Sequence, residues 1–485
     1  MKVLFINPRS KIMGINVGLG YLISTLKQQG HEATGLDLNN YRHEAEEELV
    51  GRFIERINPN LIGFSVISLN YKLTKDLIRK VKQRADVPVI IGGAHTMVEN
   101  REILDDMPEV DYLVCGEGEE TLVELLEAVE NKRALAEVAG IVYREKDELK
   151  LNPPRPFMKE LDRLPFPDYR AMGIRRIAAY PLLTSRGCPY RCIFCMAGVV
   201  AGRRWRARKV ETLIAELHHA RKTYACESFN IVDDCFTFDM NRAKRFCEAL
   251  IRGKIDLPWS CTNGIRADKV DDELAYLMSR SGCREVSLGV ESLVPEVFMN
   301  INKGERLESI VEAVRIFKKN AIRVNSFHVI GLPGDTYQRT LKSYRLSKQY
   351  KFNRSIWQLL VPFPQTKLED WVKQNAKPLA SYHDVSSSER VCFETLDYPA
   401  KKRWRAFVKL SFRNGDFSTD SRESYLKKGM RLLYLMMRYD FFYSPVHIIR
   451  LTKKALQVIS TKGERSRRVG IVFGKEFFKC AGLLD

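Results

Sequence analysis

Short apolar runs alternate with amphipathic helical stretches along most of this chain. Residues 2–7 form an apolar run stopped by Pro8, and further runs fall at 32–38, 61–66, 87–91 and 111–115. Between them apolar positions recur at helical spacing, as over 18–29, 73–83 and 120–130. Unbroken apolar runs separated by helices predict a parallel sheet covered on both faces, since such strands have no polar side to turn to water. A hairpin is expected next, 140–144 and 149–151, across the charged turn 145–148. A Pro-rich crossing follows, Asn152-Pro153-Pro154-Arg155-Pro156 and Leu164-Pro165-Phe166-Pro167-Asp168-Tyr169. Proline stiffens a segment without needing a sheet partner, so this reads as a semi-rigid connector.

From 178 the alternation resumes. Strands are predicted at 178–183, 228–232, 259–263, 285–288, 323–330 and 356–361, with helices at 210–224, 242–252, 271–281 and 307–320. Six strand–helix units are too few for an eight-fold barrel and predict an open, partial one. Beyond 376 the pattern fades through Ser386-Ser387-Ser388, then returns as helical stretches at 404–412, 425–439 and 446–460. The expected division is therefore 1–138, 139–180, 181–375 and 376–485.

Composition changes this picture at one end only. The net charge is +19, but residues 401–485 hold 20 Lys/Arg against 7 Asp/Glu, so most of the excess belongs to the last stretch. There Leu432-Leu433-Tyr434-Leu435-Met436-Met437 and Phe441-Phe442-Tyr443 lie between basic residues. Three readings stand: a helical cap with a solvated basic face, peripheral attachment to anionic lipid, or RNA binding. Nucleic acid is the least supported, because no recognition module accompanies the charge. Eleven scattered cysteines suit a reducing compartment better than a disulfide framework. No run is long enough to span a bilayer, and the first apolar run is too short for a signal peptide. The expected location is cytoplasmic.

Chemistry concentrates in Thr184-Ser185-Arg186-Gly187-Cys188-Pro189-Tyr190-Arg191-Cys192-Ile193-Phe194-Cys195. Three cysteines on one loop can converge on an iron–sulfur cluster, and no fourth follows within thirty residues, which leaves one iron open to another ligand. Buried structural thiols, a zinc site with a distant fourth ligand, or a plain ferredoxin-type centre are the alternatives. Polar residues also recur where later strands end: Asp233-Asp234, Arg266, Glu291-Ser292 and Gly331. That is where parallel αβ barrels carry function. In the front region Ser65 to Asn70, Gly92-Gly93-Ala94-His95 and Gly116-Glu117-Gly118 follow strands directly, where glycine lets backbone approach a ligand. His95 is read as a loop histidine ahead of a metal ligand.

Taken together, the cysteine loop, Asp233-Asp234-Cys235-Phe236-Thr237, Gly289-Val290-Glu291-Ser292 and Gly331-Leu332-Pro333-Gly334 resemble the radical S-adenosylmethionine superfamily. The front region, through Gly18-Leu19-Gly20-Tyr21-Leu22 and the glycine turns, resembles the cobalamin-binding domain of one class of these enzymes. The resemblance implies an α/β fold: a doubly wound, Rossmann-like cobalamin-binding-type domain, a partial (β/α)6 barrel, and a helical carboxyl-terminal region. Cys188, Cys192 and Cys195 would bind a 4Fe–4S cluster. Phe194, Asp234, Arg266, Glu291, Ser292 and Gly331 would bind S-adenosylmethionine. Gly18, Ser65, Asn70, Gly92, Gly93, His95, Gly116, Glu117 and Gly118 would bind cobalamin. The D-x-H-x-x-G loop that brings a histidine to cobalt is absent after the first strand. The implied activity is methyl transfer to an unactivated carbon of a small-molecule or lipid substrate, with radical oxidative cyclisation, ring contraction or rearrangement of a lipid or tetrapyrrole substrate as the alternative. A flavodoxin or ferredoxin would supply the electron. A metal-stabilised nucleic-acid-binding protein is the non-enzymatic alternative.

Overall fold

The computed structural model describes residues 1–10, 14–41, 43–146, 148–384 and 390–414. The helical stretches expected at 425–439 and 446–460, the serine loop 386–388 and most of the basic region lie outside these residues.

The first sheet has seven strands. Five run parallel in the spatial order Glu32–Asp37, Lys2–Asn7, Leu61–Ser65, Val89–Gly92, Tyr112–Val114. Starting at the amino-terminal strand, the chain builds first to one side and then to the other. This is the doubly wound order, whose switch point lies between Lys2–Asn7 and Leu61–Ser65. The hairpin Ile141–Glu145 and Glu148–Leu151 adds to this sheet antiparallel, pairing Leu113 with Val142. It thereby covers an edge strand that would otherwise present unpaired backbone.

The connector is pinned to both halves. Tyr169 is fully buried against Tyr180 and Tyr224. The Tyr224 hydroxyl accepts from the Tyr169 backbone N–H (2.9 Å) and donates to the Pro167 carbonyl (3.1 Å). On the other side, a Cβ at Gly20 would stand 2.5 Å from the Tyr169 ring. Gly20 is therefore needed for packing the connector onto the helix Val17–Gln28.

The second sheet has six parallel strands in sequential order: Ala179–Leu182, Ser228–Ile231, Trp259–Ile265, Cys283–Glu291, Arg323–Ile330 and Arg354–Leu359. The two outer strands do not pair, so the barrel stays open. The fourth strand is longer than its apolar run suggested, and its register shifts between Gly289 and Glu291. One continuous apolar core runs from Phe5 and Leu19 through Tyr169 and Tyr180 into the barrel. Helix Ala400–Asn414 packs on the strand Arg354–Leu359, burying Trp404, Ala406, Val408 and Leu410. Among the described residues no helix is long and apolar enough to cross a membrane.

Candidate active site at the domain junction

The cysteine loop is held at its root by one buried carboxylate. Asp233 accepts from the Thr184 backbone N–H (2.6 Å) and from the Thr184 and Ser185 hydroxyls (2.5 Å each), tying two neighbouring strand ends together. Ser185–Arg186 then pairs antiparallel with Arg206–Ala207. Gly187, at φ +90°, lets the chain turn inward, and a Cβ there would lie 2.3 Å from the Arg204 carbonyl oxygen. The loop is fastened further by Cys188 N–H to the Gly202 carbonyl (3.0 Å) and Ile193 N–H to the Ile301 carbonyl (3.1 Å).

All three thiols are free and half-buried. The neighbouring Cys235 thiol, with backbone at Tyr190, holds the Cys188 thiol below its ordinary value against its burial. Burial pushes Cys192 up and Cys195 up to about 12, and the neighbouring thiols add to the rise. Three thiolates crowded in a poorly solvated loop repel one another. An iron cluster removes that repulsion, so the donor set suits one.

The later strand ends contribute unequally. Asp234 is exposed just past its strand and close enough to Cys188 and Cys195 to raise both thiols, and crowding by protein atoms together with Asp233 lifts its carboxyl to about 6, opposed by a backbone hydrogen bond from Gly187. Glu291 sits at φ +61°, a strained conformation for a side-chain-bearing residue. Its carboxylate meets Lys303 Nζ at 3.4 Å, and Lys303 also reaches the Gly289 carbonyl and Glu305 (3.3 Å). A Cβ at Gly289 would fall 2.8 Å from the Glu291 carboxylate, so glycine makes room for this pair. Burial raises the Glu291 carboxyl.

Arg266 is committed elsewhere. It forks onto Asp268 (2.9 and 3.0 Å), donates to the Lys303 and Gly304 carbonyls (2.7 and 3.1 Å), and lies 3.6 Å over the Tyr190 ring. It therefore braces the cysteine loop through Tyr190. Ser292 closes its own turn, accepting from the Val294 N–H at 3.2 Å. Gly331 turns at φ +93° under Arg403 and donates its N–H to Asp335 (3.0 Å). Phe194 packs on the apolar core.

At the carboxyl ends of the front sheet lies a cavity of about 390 Å³. Gly18, Ser65, Gly92, Gly93, Gly116, Glu117 and Gly118 line it; His95 and Asn70 do not. Asn70 folds back to accept from the Ile67 N–H (2.9 Å) and heads the helix Tyr71–Arg84. His95 is turned toward Ser68 and Tyr71, and burial lowers its imidazole to about 4. Arg186, Val200 and Ala201, which flank the cysteine loop, complete the wall. The two domains are locked here by charge. Arg186 pairs with Glu119 (2.6 Å) and Glu117 (3.1 Å), and Arg206 with Glu117 (2.8 Å). Deeper, Arg208 pairs with Glu216 at 2.6 Å, both fully buried, and donates to the Tyr21 hydroxyl of the front domain (3.0 Å).

Residues 7–126 match the B12 binding domain, and residues 182–347 match the radical SAM superfamily. The chain is a radical SAM enzyme with a B12-binding domain. Its cofactors are a 4Fe–4S cluster, S-adenosylmethionine and cobalamin. It is 26% identical over 389 residues to an uncharacterized methyltransferase of Pyrococcus horikoshii, covering 77% of this chain and 84% of that one. It is 25% identical over 387 residues to the anaerobic magnesium-protoporphyrin IX monomethyl ester cyclase of Rubrivivax gelatinosus, covering 76% and 69%. Among solved structures, the radical S-adenosylmethionine methyltransferase TsrM from Kitasatospora setae superposes with a TM-score of 0.71 at 19% identity, over 85% of this chain and 88% of that one. The cobalamin-dependent radical enzyme OxsB gives 0.67 at 17%, over 99% and 75%. At these identities the superpositions establish a shared fold.

The cavity suits the B12-binding assignment. It opens at the switch point of a doubly wound sheet, and its rim at Gly92 and Gly116 leaves free the space that Cβ atoms would enter. The chain after the first strand, Asn7-Pro8-Arg9-Ser10, carries no histidine, and His95 faces away from the cavity. Several residues that build the junction were not among the sequence candidates: Lys303, Asp233 as an anchor, Glu119, Arg186 and Arg206. Lys303 stands in an Asn-Lys-Gly turn just past the strand that ends in Glu291, and a lone cation in such a turn is the one signal that pointed to it.

Proposed function

We propose that this enzyme transfers a methyl group to an unactivated carbon of a small-molecule substrate. The observation that carries the reading is the shared wall of the cavity: glycine turns of the B12-binding domain on one side, and Arg186, Val200 and Ala201, which flank the three-cysteine loop, on the other. Gly18, Ser65, Gly92, Gly93, Gly116 and Gly118 would hold cobalamin, whose chemistry is the carriage of a methyl group. Cys188, Cys192 and Cys195 would hold the cluster, leaving one iron for the amino and carboxylate groups of S-adenosylmethionine. Asp234 would accept from that amino group, while Asp233 keeps the loop root rigid. Lys303, shared between Glu291 and Glu305, would fix where the Glu291 carboxylate meets the bound molecule. Arg186 with Glu119, and Arg206 with Glu117, fasten the two domains together beside the cavity, where limiting water would protect a radical. Names among the relatives agree with methyl transfer, such as the Pyrococcus horikoshii protein. The cyclase of Rubrivivax gelatinosus keeps radical cyclisation or rearrangement as a second reading.

Product analysis separates the two. Incubation with S-adenosylmethionine and a reductant should yield S-adenosylhomocysteine together with 5′-deoxyadenosine, whereas 5′-deoxyadenosine alone would remove methyl transfer. We expect a flavodoxin or ferredoxin as electron donor. A lipid-borne substrate would suit the basic 401–485 region, and loss of liposome flotation on deleting it is the expected sign.

A further inference from the structure

Away from the cysteines, the structure gathers three metal-ligating side chains that the proposed reaction does not use. These are His95, Glu99 and His383, whose donor atoms all lie within 4.8 Å of one another. His95 and Glu99 stand four residues apart on one helical turn, since the N–H groups of Val98 and Glu99 both donate to the His95 carbonyl (2.9 and 3.2 Å). That spacing brings both side chains to one face. His383 arrives from the segment that follows the barrel, and its Nε2 lies 3.1 Å from one oxygen of Glu99 and 3.3 Å from the other.

The ring of His95 is prepared for a ligand. It is fully buried, its Nδ1 meets the Ser68 hydroxyl at 3.0 Å, and its Nε2 has no hydrogen-bond partner. A hydrogen bond at one ring nitrogen orients the imidazole and directs the lone pair of the other, as in the outer shell of metal-binding histidines. Leaving a buried ring nitrogen unpaired costs free energy that a bound cation would remove. Tyr71 walls the site, its ring 4.5 Å from His95 and 4.7 Å from His383, and the Tyr382 ring lies 4.1 Å from that of His383.

We propose that His95, Glu99 and His383 bind a divalent transition cation, zinc foremost, which clamps the B12-binding domain to the segment following the barrel. Two imidazoles and one carboxylate form a nitrogen-rich set that zinc takes in four-coordinate sites, with water in the fourth position, and that calcium or magnesium does not favour. Zinc bonds of about 2.0–2.1 Å set donors roughly 3.3 Å apart. Glu99 and His383 already meet that spacing, and the His95 donor lies within 4.8 Å of both. The consequence falls on the cavity. Ala94 and Met97, on the same turn, line it, and Gln365 from the end of the barrel donates to the Met97 and Val98 carbonyls (2.9 and 2.7 Å). The cation would fasten this wall a second time, from the far side.

The test uses the full-length, untagged chain purified anaerobically with its iron–sulfur cluster, exposed to Zn²⁺ and dialysed against a weak chelator. One zinc per chain beyond the iron is expected. His383→Ala, at a half-exposed position, and Glu99→Gln, which keeps the shape of its side chain, should each lose most of that zinc with iron content unchanged. A wild-type protein without zinc, or zinc retained in both variants, would overturn the proposal. Because iron is read alongside, zinc lodged at the cysteines is told apart, and the outcome is independent of whether the enzyme transfers methyl groups.

Discussion

Asp233 and Asp234 are adjacent in sequence and do different work. The first is sealed under Thr184 and Ser185, and the second is exposed. Strand alternation says only that neighbours point opposite ways, and not which way is inward. The same holds at Glu291, whose partner Lys303 lies twelve residues on in a turn. What the sequence did disclose at this scale was the cysteine spacing, because that chemistry is local. Gly187 offers a sharp check. An alanine there meets the Arg204 carbonyl at 2.3 Å in a left-handed conformation, so Gly187→Ala should bind less than half the wild-type iron by metal analysis, and unchanged iron would contradict the stated role. His328 gives a pH test. It is fully buried, stacked 4.1 Å from Trp357, and burial lowers its imidazole to about 3. The neutral ring is the folded form. As pH falls below about 6.5 the unfolded chain gains a proton that the folded one does not, so stability is lost on acidification. Between pH 6.5 and 5.5 the share of this ring should be about 1 kcal/mol, so His328→Gln should lose about that much less than the wild type, the share of buried His95 remaining in both, as read from urea unfolding of both proteins.

Elements were the most legible level. Both sheets follow the apolar runs closely, because strands buried on both faces leave unbroken apolar stretches. The hairpin was legible as a hairpin, while its union with the first sheet was not, since edge pairing depends on which strand is left uncovered. Contacts between elements were the least legible. Arg186 and Glu119 are 67 residues apart, and nothing local marks them as partners. Their burial makes a firm prediction. Glu119→Gln strands the Arg186 charge with only Glu117 to meet it and should cost on the order of 2–4 kcal/mol, seen as a lower thermal midpoint and earlier proteolysis at the connector. The double variant Glu119→Gln with Arg186→Met should recover part of that loss, and a double variant as unstable as the sum of its parts would argue against the pairing.

For the whole molecule, the decisive feature is that two cofactor-binding folds share one cavity wall. The sequence indicated each fold separately, through its own glycines or cysteines, but the junction needs Arg186, Val200 and Ala201 to be brought against Gly92 and Gly116 in space. Gly92 allows that junction to be probed without strain: it lies in a strand, and the nearest atom to an added Cβ is Val114 Cβ at 3.7 Å. Gly92→Leu should therefore fill the cavity, leaving the cluster intact and excluding cobalamin. The most direct measurement is the iron and cobalamin content, with the visible spectrum, of anaerobically purified protein supplied with cobalamin. The account predicts about four irons and one cobalamin per wild-type chain, and iron without cobalamin in Gly92→Leu. A wild-type chain that holds iron but takes up no cobalamin would contradict it.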